Sequence, residues 1–324
     1  MSTLTQDYLS ADTVDSLADL LQQPGVLAVV GLVDSCLPTD LKGYIPCGMP
    51  SLSAKPLEVI RYGTAVATRG ITDNCHWSII DDVLCAAVWM SEDDCQNIEL
   101  ATETSYGRLF QLIQSMGFPY PFRIWNFIPN INQGEGDREE YKKFCVGRQR
   151  AFHTHHLAPQ EYPAASALGH HGKGAVVYLL AGRYSGVHHE NPRQQPAYEY
   201  PREYGPSSPS FARATSLSLN SKIQIFISGT ASIIGHDTKA VGDLQEQLKI
   251  TLDNIQQLVS HIDQEKRSLS AIRVYLRHPQ DLSIAESFLA KYYLSHQMNF
   301  LHADICRGQL LVEIEALASP VQKE

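Results

Sequence analysis

Glu313 sits in an apolar run near the end of this 324-residue chain, with Leu311, Val312 and Ile314 around it, and Cys306 lies seven residues before it. A carboxylic acid on a buried strand has its pKa raised by desolvation, so it can hold a proton near neutral pH and hand it to a substrate. The same position suits a structural carboxylate paired with an arginine, and the residues alone leave both readings open. Glu315, two residues on, shares the strand face if pairing is regular, and is the second candidate. A free cysteine is most often a small buried hydrophobe, so Cys306 by itself carries no assignment. Arg148 and Arg213, then Arg123 and Arg307, are candidates for binding carboxylates, because a planar guanidinium meets a carboxylate through paired hydrogen bonds. Without further context each is more often a surface ion-pair partner. Tyr141 and Tyr204 can offer hydroxyls to substrate oxygens or pack with those hydroxyls at the surface. The small residues of 228–232, Ala231 among them, either let a ligand approach the backbone closely or form a tight strand exit.

Other chemistries find little support. His153, His155 and His156 cluster, as do His170-His171 and His188-His189, and His153 and His156 would share a helix face; no HExxH or zinc-deaminase spacing accompanies them, so no metal is expected. The glycines between 169 and 174 lack phosphate-loop spacing, and no GxGxxG follows a strand. Seven cysteines with no CxxC pair argue against a disulfide framework or structural zinc and suit a reducing compartment. A formal charge of −9 disfavours nucleic acid as a partner, while a few local arginines can still dominate a pocket for a small anion. No apolar stretch approaches the roughly 18 residues of a membrane span, and the N-terminus does not read as a signal peptide. The expectation is a soluble, cytoplasmic protein without a cofactor.

These residues must be positioned by an α+β framework. Apolar or alternating runs predict strands at 26–33, 57–61, 64–68, 82–90 and 122–128, with helices at 98–116 and 138–154. Further strands are predicted at 175–181, 214–219, 224–228, 271–276 and 310–317, and helices at 243–262 and 281–294. A turn is expected at Asn220-Ser221. The segment 184–209, rich in Pro, Gly, Tyr and Ser, is too long for an idle connection and reads as a lid or binding loop. Residues 1–150 and 151–324 form two halves that look like distant repeats of one pattern, a pseudo-duplicated fold.

Two resemblances follow. Phe-Ile-Ser-Gly-Thr-Ala-Ser at 226–232, with Gly242-Asp243, Gln247, Asn254-Ile255 and Leu-Val-Glu-Ile-Glu-Ala at 311–316, resembles the RidA/YjgF family over about 214–318. It implies mixed sheets packed on helices, with pockets near the sheet's end. RidA proteins that hydrolyse imines carry an arginine about 15 residues before the terminal Glu; here that count reaches Met298, and His296 and Asn299 do not replace it, which disfavours imine hydrolysis.

Over nearly the whole chain the sequence is similar to the chorismatases, larger proteins on a RidA-like fold. The similarity rests on Arg-Ile-Trp-Asn-Phe-Ile-Pro-Asn-Ile-Asn at 123–132, Tyr141, Phe144, Gly147-Arg148 and Ala151-Phe152. It continues through 209–214, 228–232 and Ala-Asp-Ile-Cys-Arg at 303–307 to Glu313. This resemblance implies cleavage of chorismate to pyruvate and a ring product, with Glu313 catalytic and Arg148 and Arg213 binding carboxylates. It also implies that Cys306 marks the 3-hydroxybenzoate-forming type, with 4-hydroxybenzoate as co-product, because members that hydrolyse chorismate to a dihydroxycyclohexadiene generally lack this cysteine. The alternatives carried forward are that hydrolysis, RidA-type imine hydrolysis, and a non-enzymatic metabolite-binding protein. RidA relatives form trimers, whereas a duplicated chain can stay monomeric.

Overall fold

The computed structural model describes residues 3–263 and 267–320. Three mixed sheets and their helices form the fold. A seven-stranded sheet has the order Asp304–Ile305, Ala164–His170, Tyr120–Pro129, Ala175–Gly182, Val83–Met90, Cys75–Ile80, Thr68–Thr72. A six-stranded sheet runs Val187–His189, Ala214–Leu219, Lys222–Ala231, Val312–Pro320, Arg267–Leu276, Met298–His302. The four-stranded sheet of Thr5–Leu9, Leu57–Arg61, Val26–Gly31 and Tyr44–Pro46 lies beside them.

The two larger sheets turn one face towards each other and cover the other with helices. Helices Ile98–Ser115 and Glu140–Thr154 bury Tyr106, Leu109, Phe110, Phe144 and Phe152 against the seven-stranded sheet. Helices Leu244–Ile262 and Leu282–Leu289 bury Leu248, Ile255, Leu258 and Leu289 against the six-stranded one. Between the sheets lie Phe122, Trp125, Tyr178, Phe226, Tyr275 and Leu317, with the Phe122 and Phe226 rings 4.9 Å apart. A strand buried on both faces must be apolar on both, which is why 26–31 and 175–182 read as unbroken hydrophobic runs. Local signals place the helix starts: Asn97 and Asp243 each accept the backbone N–H three residues on. Asn220 and Ser221 take positive φ at the expected hairpin turn.

The mixed-sheet-on-helix architecture matches the expected fold class, with corrections to its elements. The strand expected at 64–68 begins only at Thr68, and strands Cys75–Ile80, Ala164–His170 and Met298–His302 are additional. The helix expected to reach 294 stops at Leu289. The helix carrying His153 ends at Thr154 and His156 has φ +59°, so those histidines do not share a helix face. Residues 150 and 151 lie inside one helix, and the seven-stranded sheet takes strands from both sides of that point, Asp304–Ile305 included. The segment 184–209 is ordered by the short strand Val187–His189 and the 3-10 turns Ala197–Glu199 and Arg202–Tyr204.

Candidate active site

Alternation along Val312–Pro320 sends Val312, Ile314 and Ala316 into the helix-covered core, and sends Glu313, Glu315 and Leu317 into the space between the sheets. The neighbouring strand Lys222–Ala231 breaks register between Ile227 and Thr230, after which Ala231 stands opposite Glu313. Such a bulge re-aims side chains at a site. Gly229 lies in it, and a Cβ there would fall 1.9 Å from Glu313 Oε1. Only glycine leaves room for that carboxyl. Beyond the bulge, Asn254 donates to the carbonyls of Ala231 (3.1 Å) and Ile233 (2.9 Å), so the strand exit is fixed.

The two glutamates are buried alike and bonded differently. Glu315 accepts from Arg123 Nη2 (2.6 Å), Trp125 Nε1 (2.7 Å) and Ser166 Oγ (2.5 Å), and Arg273 Nη1 lies 3.3 Å away. Although burial opposes its charge, these donors hold its carboxyl below the usual carboxylate range. The Glu313 carboxyl has no hydrogen-bond or ion-pair partner among the described residues. Burial, reinforced by the Glu315 charge, pushes it up to about 8, with Arg123 and Arg213 pulling the other way. At neutral pH Glu313 is therefore mostly a neutral acid, and Glu315 is an anion.

Glu313 opens onto a cavity of about 260 Å³. Seven of the residues singled out from sequence line it: Glu313, Cys306, Arg148, Arg213, Tyr141, Tyr204 and Ala231. Arg148 comes from helix Glu140–Thr154, where Gly147 lets the helix press against the Glu99 carbonyl, 2.1 Å from where a Cβ would stand. The guanidinium is buried over the Phe144 ring at 4.9 Å, and its Nε and Nη2 have no hydrogen-bond partner. A buried cation with unused donors and no facing carboxylate is a receptor for an anion. Arg213 is partly engaged: Nη2 donates to the Gln195 carbonyl (3.0 Å) and the Tyr200 hydroxyl (2.8 Å). Its Nε lacks a hydrogen-bond partner and lies 3.9 Å from Glu190, whose carboxyl burial raises to about 7.

The remaining residues complete the walls. Tyr141 is a half-buried residue whose phenol is held well above its usual range by desolvation and the nearby thiols of Cys145 and Cys306. Tyr204 donates to the His236 carbonyl (2.9 Å) beneath the Arg307 guanidinium, 4.1 Å from its ring. Arg307, the weaker sequence candidate, also lines the cavity and is tied to the His236 carbonyl at 2.7 Å. Arg123 does not reach it; its guanidinium serves Glu315 and Ser166. Burial and the Glu313 charge raise the Cys306 thiol to about 12, so it is a neutral thiol and not a ready nucleophile. Sequence reasoning missed Ser166, which lies on an unanticipated strand, and Tyr200, which the long loop supplies; Phe211 was legible only as part of the 209–214 motif. Gly229 was legible only as one of several small residues.

Comparison with known proteins gives this geometry a context. The family model "Chorismatase FkbO/Hyg5-like, N-terminal" matches residues 58–181. A 3-hydroxybenzoate synthase from Streptomyces hygroscopicus is 40% identical over 233 residues, covering 67% of this chain and 68% of the relative. A chorismatase from Streptomyces rapamycinicus is 34% identical over 265 residues, covering 77% and 78%. A chorismatase crystal structure at 1.08 Å superposes with a TM-score of 0.86 at 29% identity and 98% coverage of both chains. This chain belongs to the chorismatase family.

Proposed function

We propose that this protein cleaves chorismate to pyruvate and 3-hydroxybenzoate, with 4-hydroxybenzoate as co-product, and that Glu313 supplies the proton. The observation that carries this reading is a buried, unpartnered carboxyl raised to about 8, facing a cavity that also holds the unused N–H groups of Arg148. Chorismate brings two carboxylates and a vinyl ether. Arg148 and Arg213 hold the carboxylates, and Glu313 protonates the enolpyruvyl methylene carbon.

The ring carbon–oxygen bond then breaks, and its electron pair leaves with pyruvate. The neighbouring ring hydroxyl oxygen closes on the vacated carbon in an arene-oxide-like intermediate, returning its proton to the Glu313 carboxylate. Opening of that ring and loss of a ring proton give the hydroxybenzoate, and the atoms balance without net water. Tyr141 and Tyr204 orient substrate oxygens, Ala231 allows close approach to the strand, and the neutral Cys306 thiol packs by the reacting ring and steers the product. The free state of all seven cysteines supports a cytoplasmic setting.

Incubation of pure protein with chorismate and chromatography of the products tests the reading. Pyruvate with 3-hydroxybenzoate is the expected result; absence of pyruvate ends it. A dihydroxycyclohexadiene as sole ring product would keep the reaction class and remove the role given to Cys306.

A further inference from the structure

Arg277 lies just beyond the strand Arg267–Leu276, outside the cavity, and spends its guanidinium on the segment 304–310 and on Asn132. Its Nε donates to the Leu310 carbonyl (2.7 Å). Nη1 donates to Asn132 Oδ1 (3.1 Å) and Asp304 Oδ1 (2.7 Å). Nη2 donates to the carbonyls of Ile305 (2.8 Å) and Arg307 (3.1 Å). All five guanidinium donors are used, three of them on backbone carbonyls of 305–310. Asn132 doubles the grip by donating to the Ile305 carbonyl at 3.1 Å. The peptide units on either side of Cys306 and Arg307 are thus held from behind, while both side chains face the cavity.

No regular secondary structure orders residues 306–311. The fork is planar and rigid, so its hydrogen bonds define position as well as attraction, which a lysine ammonium cannot reproduce.

We propose that Arg277 is a positioning residue: it fixes the Cys306 thiol and the Arg307 guanidinium against the substrate, and thereby sets how the ring products divide. The proposal rests on the reading of Cys306 above, and two readouts keep the two apart.

The first readout needs no turnover. Alkylation of Cys306 by iodoacetamide is followed by peptide mass spectrometry, with buried Cys36 and Cys85 as internal references. In R277K the rate at Cys306 should rise about fivefold or more, with the references unchanged, because the loop opens locally. The second is the product ratio from chorismate. R277K should lower the 3-hydroxybenzoate share about threefold in the same direction as C306A, while pyruvate release changes less. The R277K/C306A double variant should lie closer to C306A than the sum of the two single effects, since both act on the Cys306 thiol. N132A should shift both readouts the same way by a smaller amount, and it decides the matter if R277K does not fold.

Unchanged Cys306 alkylation in the folded variants overturns the proposal, whatever the activity. Slowed turnover at a wild-type product ratio overturns it too, because that marks a purely structural role. If the wild type releases no pyruvate, the functional reading falls, and alkylation alone decides whether Arg277 positions the loop.

Discussion

Glu313 and Glu315 share a strand face and are 5% and 4% exposed, yet the regions around them do opposite things to a carboxyl. At the Glu315 end runs a chain of alternating charges. Glu58 binds Arg273 Nε at 2.6 Å, Arg273 reaches Glu315 at 3.3 Å, and Glu315 meets Arg123 at 2.6 Å. The chain crosses all three sheets, and Trp125, Tyr178 and Ser166 add donors or stacking to it. Two carboxylates and two guanidiniums there cancel in charge. One turn of alternation away, Glu313 has the same burial and no donor. Burial alone therefore does not make a proton donor; withholding the donors does. The charge chain also supplies the Glu315 anion that helps to keep Glu313 protonated.

Breaking the comparison at Glu313 should have the largest effect. Glu313→Gln is expected to cut kcat by about 10³-fold or more, with an unchanged circular dichroism spectrum, since it keeps the shape and removes the proton. Normal turnover would move the acid elsewhere. Glu315→Gln should instead act on stability. It leaves buried guanidiniums undercompensated and should cost about 3–5 kcal/mol in denaturant unfolding. An unchanged unfolding midpoint would show that the charge chain contributes little. Gly229→Ala should lower kcat by about a hundredfold, because its Cβ displaces the Glu313 carboxyl from its aim; wild-type kcat would place the working carboxyl elsewhere.

The pH responses of the two carboxyls sharpen the contrast. The proposed proton donor is the protonated form of Glu313, so kcat/KM should fall above about pH 8. Because its folded pKa lies above the ordinary value, its contribution to stability is complete below the unfolded pKa and lost as pH rises through the folded one. Glu313→Gln should therefore gain melting temperature relative to wild type as pH rises from about 4.5 to about 8. Glu315 has the opposite sign: its contribution is present above the ordinary carboxylate range and lost as pH falls through its lowered pKa. A kcat/KM profile flat across pH 8 would remove Glu313 as the acid. The smallest effect is expected at the rim, where Tyr204→Phe loses one hydrogen bond and should raise KM about threefold; an unchanged KM would leave that hydroxyl a packing role.

Much of this was legible before any coordinates. Periodicity located the long helices, and the cavity gathers most of the residues picked out by type and motif, from Arg148 on a helix to Glu313 on the last strand, while Arg123 and Glu315 pair with each other outside its lining. The illegible parts share a cause. Ala164–His170 consists mostly of small residues with little strand preference, and becomes a strand because partners on both sides demand it, which also hid Ser166. Ranking Arg123 against Arg307 needed knowledge of which carboxylate each meets, and Glu315 captures the first across 192 positions of sequence. Arg277 was invisible because its partners are mainly backbone carbonyls, which leave no trace in residue type.

The strand Val312–Pro320 enters the six-stranded sheet between Lys222–Ala231 and Arg267–Leu276, not at an edge. During synthesis those two neighbours emerge well before it and cannot pair with each other in this arrangement. Pairing across the middle of this sheet requires residues 312–320, and their insertion brings both glutamates in together. A polypeptide cut short of residue 312 lacks the sheet's central strand and both glutamates together, so loss of the strand pairing and loss of the proposed proton donor are one event.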